Sequence, residues 1–255
     1  MGLSEEKKVT DKNIPGPIMT KVSSFPSMPR AAIKLRELLA EEAPSADEIE
    51  SVLRSDPGLA TNVLRLANSA FFGVPRKVET LKHAVTLLGV KRFSQIAVSA
   101  SMNKTMDKAV EGYDLSPGEL WLHSIAVSNT AEALARQKKL AKTDDVFTPA
   151  LLHDMGKLVL SQFVKEERQN IERIMSTGAP LDEAENMVLG TDHAEIGALI
   201  LAKWSFPDNI VNAVRWHHHP ERNNNATTKS DMTYLSNLMC QPNSGGESGD
   251  SQSAE

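Results

Sequence analysis

The sequence predicts an all-α protein of two packed helical lobes, about 18–112 and 113–240, and three observations carry that prediction. Apolar residues recur at i, i+3, i+4 through most of the chain. Cap residues and Pro/Gly breaks punctuate them at helical intervals. No stretch alternates long enough to make a strand, and no repeat of fixed period is evident.

The elements follow in order. Pro29 precedes a helix from Ala31 to Glu41, in which Leu35, Leu38 and Leu39 form one apolar face. Ser45 and Glu48 make a capping box that opens a helix through Ile49, Val52 and Leu53. Asp56-Pro57-Gly58 breaks it, and Leu59, Val63, Leu64 and Leu66 resume the period. Thr80 caps Leu81 to Leu88, which Gly89 closes, and Lys91 to Met106 reads as another helix. From Glu111 to Pro117 polarity rises and the pattern pauses, which marks the lobe boundary. Ser116-Pro117 is an N-cap and first-turn pair launching a helix to about Arg136. Thr148-Pro149 repeats the device before Ala150 to Phe163. Further helices are expected near Glu166 to Ser176, in the acidic-alanine stretch after Gly178, from Ala194 to Trp204, from Pro207 to about His217, and from Asp231 to Cys240. Residues 1–17 are expected to be loosely held. The last fifteen, QPNSGGESGDSQSAE, have no large apolar side chain to bury and read as a disordered tail, 241–255.

Composition removes several functions. No apolar run approaches the roughly eighteen residues of a membrane span, and no hydrophobic stretch follows the N-terminal charges as in a signal peptide. Cys240 is the only cysteine, so disulfides within the chain and thiolate zinc clusters are excluded. The cytoplasm is the expected compartment. A net charge of −5 and 5% aromatic residues argue against nucleic-acid binding.

Six of seven histidines lie after residue 120: His123, His153, His193, His217, His218 and His219. Four separate helical segments each contribute at least one, and Asp154 follows His153 directly in ALLHDMGK. Imidazole and carboxylate suit iron, manganese or zinc, and facing helices of a bundle can bring them to one ion. An aspartate beside a ligating histidine can bridge two metals or orient water. The ordinary alternative for His153-Asp154 is a buried polar pair tying helices together. Adjacent side chains on a helix diverge by about 100°, so the triple histidine cannot converge as a whole. His217 and His218 are the candidates, with His219 in solvent. Glu119 stands on the face of His123 but also completes an S-x-x-E capping box with Ser116. In the first lobe, Asn68 reads as a helix-end cap, Phe71 and Phe72 as core or interface packing, and His83 as a helix residue without chemistry.

HDMGK, with WLHS upstream and GTDHAEIGALILAKW and WHHHP downstream, resembles the HD-type metal-dependent phosphohydrolase fold. FPSMPRAAIKLRELL, RSDPGLATNVLRLANSAFFG and VETLKHAVTLLGVKRFSQIAV sharpen this to the HDOD domain, a relative of the HD and HD-GYP families. The resemblance covers roughly Met19 to Cys240. It implies a bacterial signalling or regulatory module acting on a protein partner or small ligand, often with degenerate metal ligands. By similarity to the HD-GYP arrangement, His123, His153, Asp154, His193, His217 and His218 stand at positions of ligands to divalent metal, and Lys157 where related enzymes bind phosphate. Two departures stand out. Asn237 occupies the place of a closing aspartate, with Asp231 two turns away, and the glycine-tyrosine-proline loop of cyclic di-GMP phosphodiesterases is replaced by ERNNNATTKS. The preferred expectation is therefore a regulatory module with a retained metal site and no efficient catalysis. The alternatives are a metal-dependent phosphohydrolase, in which Asp154 and Lys157 serve catalysis, and a nucleotide or cyclic-dinucleotide sensor without turnover.

Overall fold

A computed structural model describes residues 14–39, 45–72, 77–140, 143–223 and 228–241. These residues form thirteen α-helices and no strand; an isolated bridge joins Val110 to Leu115. The helices are α1 (Gly16–Ser24), α2 (Arg30–Leu39), α3 (Ala46–Arg54), α4 (Pro57–Ala67), α5 (Leu81–Met106), α6 (Glu119–Gln137), α7 (Phe147–Leu152), α8 (Lys157–Glu166), α9 (Arg168–Met175), α10 (Leu181–Leu189), α11 (His193–Lys203), α12 (Asp208–Arg215) and α13 (Thr228–Cys240). Most of the expected loose start and tail lies outside the described residues.

Side-chain caps fix several starts. Ser45, Asp56 and Thr80 accept hydrogen bonds from the N–H groups of Glu48, Leu59 and His83. Pro57 fills the first turn of α4, so the Asp-Pro-Gly break both ends one helix and begins the next. α5 is two helical pieces joined at Gly89, whose φ of 76° and ψ of 159° no other residue adopts readily. The expected stop at Gly89 is real, and the second piece begins directly after it. Asn68 ends α4 and clamps the chain returning to α5: its carboxamide donates to the carbonyls of Leu64 and Val78 and accepts from Val78 N–H, all at 2.7–2.8 Å.

Four expectations need correction. No helix is expected before Ala31, yet α1 forms and buries Ile18 and Val22. It does so against α8 and α11, where Lys203 Nζ donates to the carbonyls of Ser23 and Phe25 and Trp204 Nε1 donates to that of Pro26. α6 starts at Glu119 rather than behind a Ser116 cap, with Gly118 at the N-cap. The expected helix Ala150 to Phe163 is two helices, because residues 153–156 form a tight turn of i→i−3 hydrogen bonds. Finally, Phe72 is buried as expected but Phe71 is 40% exposed.

One hydrophobic core runs through both halves, from Ile18 through Phe93 and Met102 to Leu152, Ile196 and Val214. A smaller cluster (Val127, Ala131, Ala150 and Met232) packs α6, α7 and α13 together. Between the halves, Glu132 of α6 is buried and accepts from Arg92 and Gln95 of α5 and from Arg136. α6, α7, α11 and α13 thereby surround the segment that bears His153 and Asp154.

Candidate metal centre

The turn between α7 and α8 places His153 and Asp154 in the interior, 0% and 1% exposed. That turn is held by Gly156, where a Cβ would lie 1.9 Å from the carbonyl oxygen of His193. Only glycine permits this contact, and the contact brings the start of α11 against the HDMG turn. α6 presents His123 from one side and α11 presents His193 from the other. α12 ends at Arg215, so the triple histidine lies on irregular backbone. Helical divergence therefore does not separate His217 from His218, whose ring centroids are 4.0 Å apart.

The result is two groups meeting at one carboxylate. His123, His153 and Asp154 each offer a ligand atom within 4.8 Å of the others, and so do His193, His217 and His218. Asp154 Oδ2 lies 3.7 Å from His123 Nε2 and 3.4 Å from His153 Nε2. Its Oδ1 lies 3.5 Å from His193 Nε2 and 3.9 Å from His217 Nε2. Each group thus receives one oxygen of the same side chain.

Hydrogen bonds orient the rings. His153 Nδ1 and His217 Nδ1 each face a carbonyl, of Ala150 at 2.8 Å and of Val214 at 2.7 Å. A carbonyl only accepts, so Nδ1 carries the proton and Nε2 keeps a bare lone pair. Those two Nε2 atoms and Asp154 Oδ1 are buried without a hydrogen-bond partner among the described residues. Three such orphans at one point cost stability unless something ligates them. A divalent ion fits the donor set.

Two supporting residues escaped the sequence analysis. Glu185 is fully buried on α10; it accepts from His193 Nδ1 at 2.7 Å, from His193 backbone N–H at 2.8 Å and from Tyr113 OH at 2.7 Å. Asp182, one turn earlier, accepts from His219 Nε2 at 2.8 Å. His219 is therefore tethered rather than free in solvent, a correction to the expectation. The available signal was spacing: Asp182, Glu185 and Leu189 fall at i, i+3, i+7 and share the inward face of α10.

Lys157 is beside the cluster, its Nζ donating to Asp154 Oδ2 at 2.7 Å. Asn237 of α13 faces His123, Oδ1 to Nε2 at 3.1 Å. Glu119 is exposed and accepts from Ser116 N–H at 2.6 Å, so it completes half of the capping box and belongs to neither ligand group. Asp231 is exposed.

Electrostatics divide the cluster. Burial is the main reason His123 is lowered to about 4 and His218 to about 2, and burial likewise holds His217 well below 6.5. Burial opposes ionisation of Asp154 too, but His153 and Lys157 outweigh it and keep the carboxylate charged. At His193 burial is outweighed by Glu185, and the imidazole is raised. His123, His217 and His218 are thus held toward the neutral form beside one anionic carboxylate.

The chain matches the model of the HDOD domain over residues 25–220. It superposes on a crystal structure from Shewanella amazonensis SB2B, given the provisional name of a phosphohydrolase, with a TM-score of 0.74 at 26% identity, covering 88% of this chain and 80% of that one. An HDOD domain protein of unknown function from Geobacter sulfurreducens gives a TM-score of 0.76 at 23% identity, covering 87% and 74%, and shows the shared fold. An uncharacterised protein of Treponema pallidum (strain Nichols) is 22% identical over 204 residues, 79% of this chain. The chain spans 39% of that relative's length.

Proposed function

The chain belongs to the HDOD domain family, and from that premise we propose that it is a bacterial regulatory module, working in the cytoplasm through a signalling partner or small ligand. In this reading its C-terminal half holds divalent metal, of the iron, manganese or zinc class, and does not turn a substrate over efficiently. The observation that carries the reading is Asp154, which gives one carboxylate oxygen to each of two histidine groups, each containing one buried Nε2, of His153 and of His217, that has no hydrogen-bond partner among the described residues. His123, His153 and Asp154 would hold one ion and His193, His217 and His218 a second, with Asp154 between them.

Such ions polarise phosphoryl oxygens and acidify bound water. Two features of this chain temper that chemistry. Lys157, the cation available to a phosphate, is engaged by Asp154. Asn237 brings a neutral carboxamide to His123 where a carboxylate would add a charged ligand. The histidines and Asp154 then act as a cross-link between helices from across the C-terminal half.

A phosphohydrolase remains the second reading, favoured by the partial exposure of His123, Lys157 and His218, 25%, 16% and 20% at their side chains. These three form a rim through which a phosphate can approach. Metal content of protein purified without chelator, measured for the native chain and for His153→Ala and His193→Ala, tests the shared premise. One or two equivalents, lost in both variants, is the expected result; below a tenth of an equivalent with no uptake on reconstitution defeats it. Hydrolysis of bis-p-nitrophenyl phosphate separates the two readings. A regulatory module shows none, and Asn237→Asp adds none, whereas clear turnover abolished by His153→Ala establishes the enzyme.

A further inference from the structure

Away from the metal centre, α4, α5 and α6 enclose a cleft of about 300 Å³ between the two halves. Asn103 lies at the cleft wall, 9% exposed, and its carboxamide is not among the side-chain polar atoms sealed from solvent without a partner. An amide at such a wall has a donor and an acceptor to offer a ligand. Trp121 and Phe71 supply aromatic surface, Arg65 a cation at the exposed rim, and Asp107 and Asn62 further polar groups. The indole N–H of Trp121 is turned toward the carbonyl of Ser99, 3.4 Å away, so the ring has a fixed orientation.

We propose that this cleft binds a single purine nucleotide. A carboxamide presents a donor and an acceptor side by side, which matches the paired donor and acceptor on a purine edge. Aromatic faces stack on the ring. Asp107 accepts from ribose hydroxyls, as carboxylates do in other nucleotide sites. Arg65 meets the phosphate in water, where a guanidinium forks onto it. The volume is at the small end of ligand sites and suits one nucleotide rather than a cyclic dinucleotide. Trp121 lies two residues before His123 on α6, so occupancy of the cleft bears on the helix that supplies a metal ligand.

Calorimetry with AMP, GMP, adenosine and guanosine tests the assignment on the full chain as purified. The expected result is a micromolar to low-millimolar Kd for at least one purine nucleotide. Asn103→Leu should weaken the nucleotide and its nucleoside alike by tenfold or more. Arg65→Ala, on the surface, should weaken the nucleotide by several-fold while leaving the nucleoside unchanged. Metal content and melting temperature should stay native in both variants. No heat with any of the four ligands at several millimolar overturns the proposal. So does binding that survives Asn103→Leu, and so does binding lost instead in His153→Ala, which would place the ligand at the metal centre.

Discussion

Glu185 buries a carboxylate completely and spends it on His193 and Tyr113. The bond to His193 Nδ1 turns the opposite nitrogen toward Asp154 and makes the imidazole a stronger donor. Glu185→Gln keeps the shape but removes the charge. Metal affinity measured by competition with a chromogenic chelator should fall roughly 10- to 100-fold, while the circular dichroism spectrum stays helical. An affinity within a factor of two of the native chain would mean that Glu185 only fills space. Asp182 plays the parallel part for His219 and also lies 4.0 Å from His218 Nδ1, so it borders the second ligand group as well.

The helices differ in how local their causes are. Thr80 and Gly89 bracket the first piece of α5 by cap and by backbone geometry, and both signals sit in the sequence. Gly89 also yields a clean energetic test. A Cβ there would meet no atom within 4 Å, so Gly89→Ala carries only a backbone cost. That cost is about 1–3 kcal/mol for a non-glycine residue held in this region, and the denaturant midpoint should drop accordingly with an unchanged slope. A midpoint equal to the native one would show that the helix straightens at no expense. The division of α7 from α8 has a different origin. Nothing in ALLHDMGKLVL stops a helix locally; the turn exists because Gly156 lets the HDMG backbone pack on the His193 carbonyl, a partner 37 positions away. Local pattern reading joined the two helices for that reason. α1 was missed on the same ground, since its two buried residues face α8 and α11 rather than neighbours in sequence.

Across the whole molecule, residues that one side chain type identifies were legible and residues that only a neighbour defines were not. Histidines and an aspartate in helical segments pointed by their chemistry to a cluster that the structure does bring together, whereas Glu185, Asp182 and the tethered His219 gain their contacts from the packing of α10 on it. With that packing, a metal held as proposed would cross-link α6, the HDMG turn, α11 and the segment after α12, so that its binding and global stability would be linked. An ion that binds only the folded chain and is present at 100 times its Kd adds about 2.7 kcal/mol. For a chain of this length that corresponds to roughly 5–10 °C in Tm. The metal-free protein should show the converse in its pH dependence. His123, His217 and His218 have lowered values when folded, so the unfolded chain takes up their protons first, and stability falls as pH drops below about 6.5 toward 4. His193 runs the other way: its raised value contributes stability below 6.5 that is lost as pH rises through the folded value, and one such group does not offset three. Thermal melts of chelator-treated protein should therefore decline from pH 7 to 5. Reconstitution with zinc or manganese at pH 7 should raise Tm, and His153→Ala should abolish that rise. An identical Tm with and without metal, in protein shown to bind it, would mean that the ion sits on a preformed frame and that the helices are held by the hydrophobic core alone.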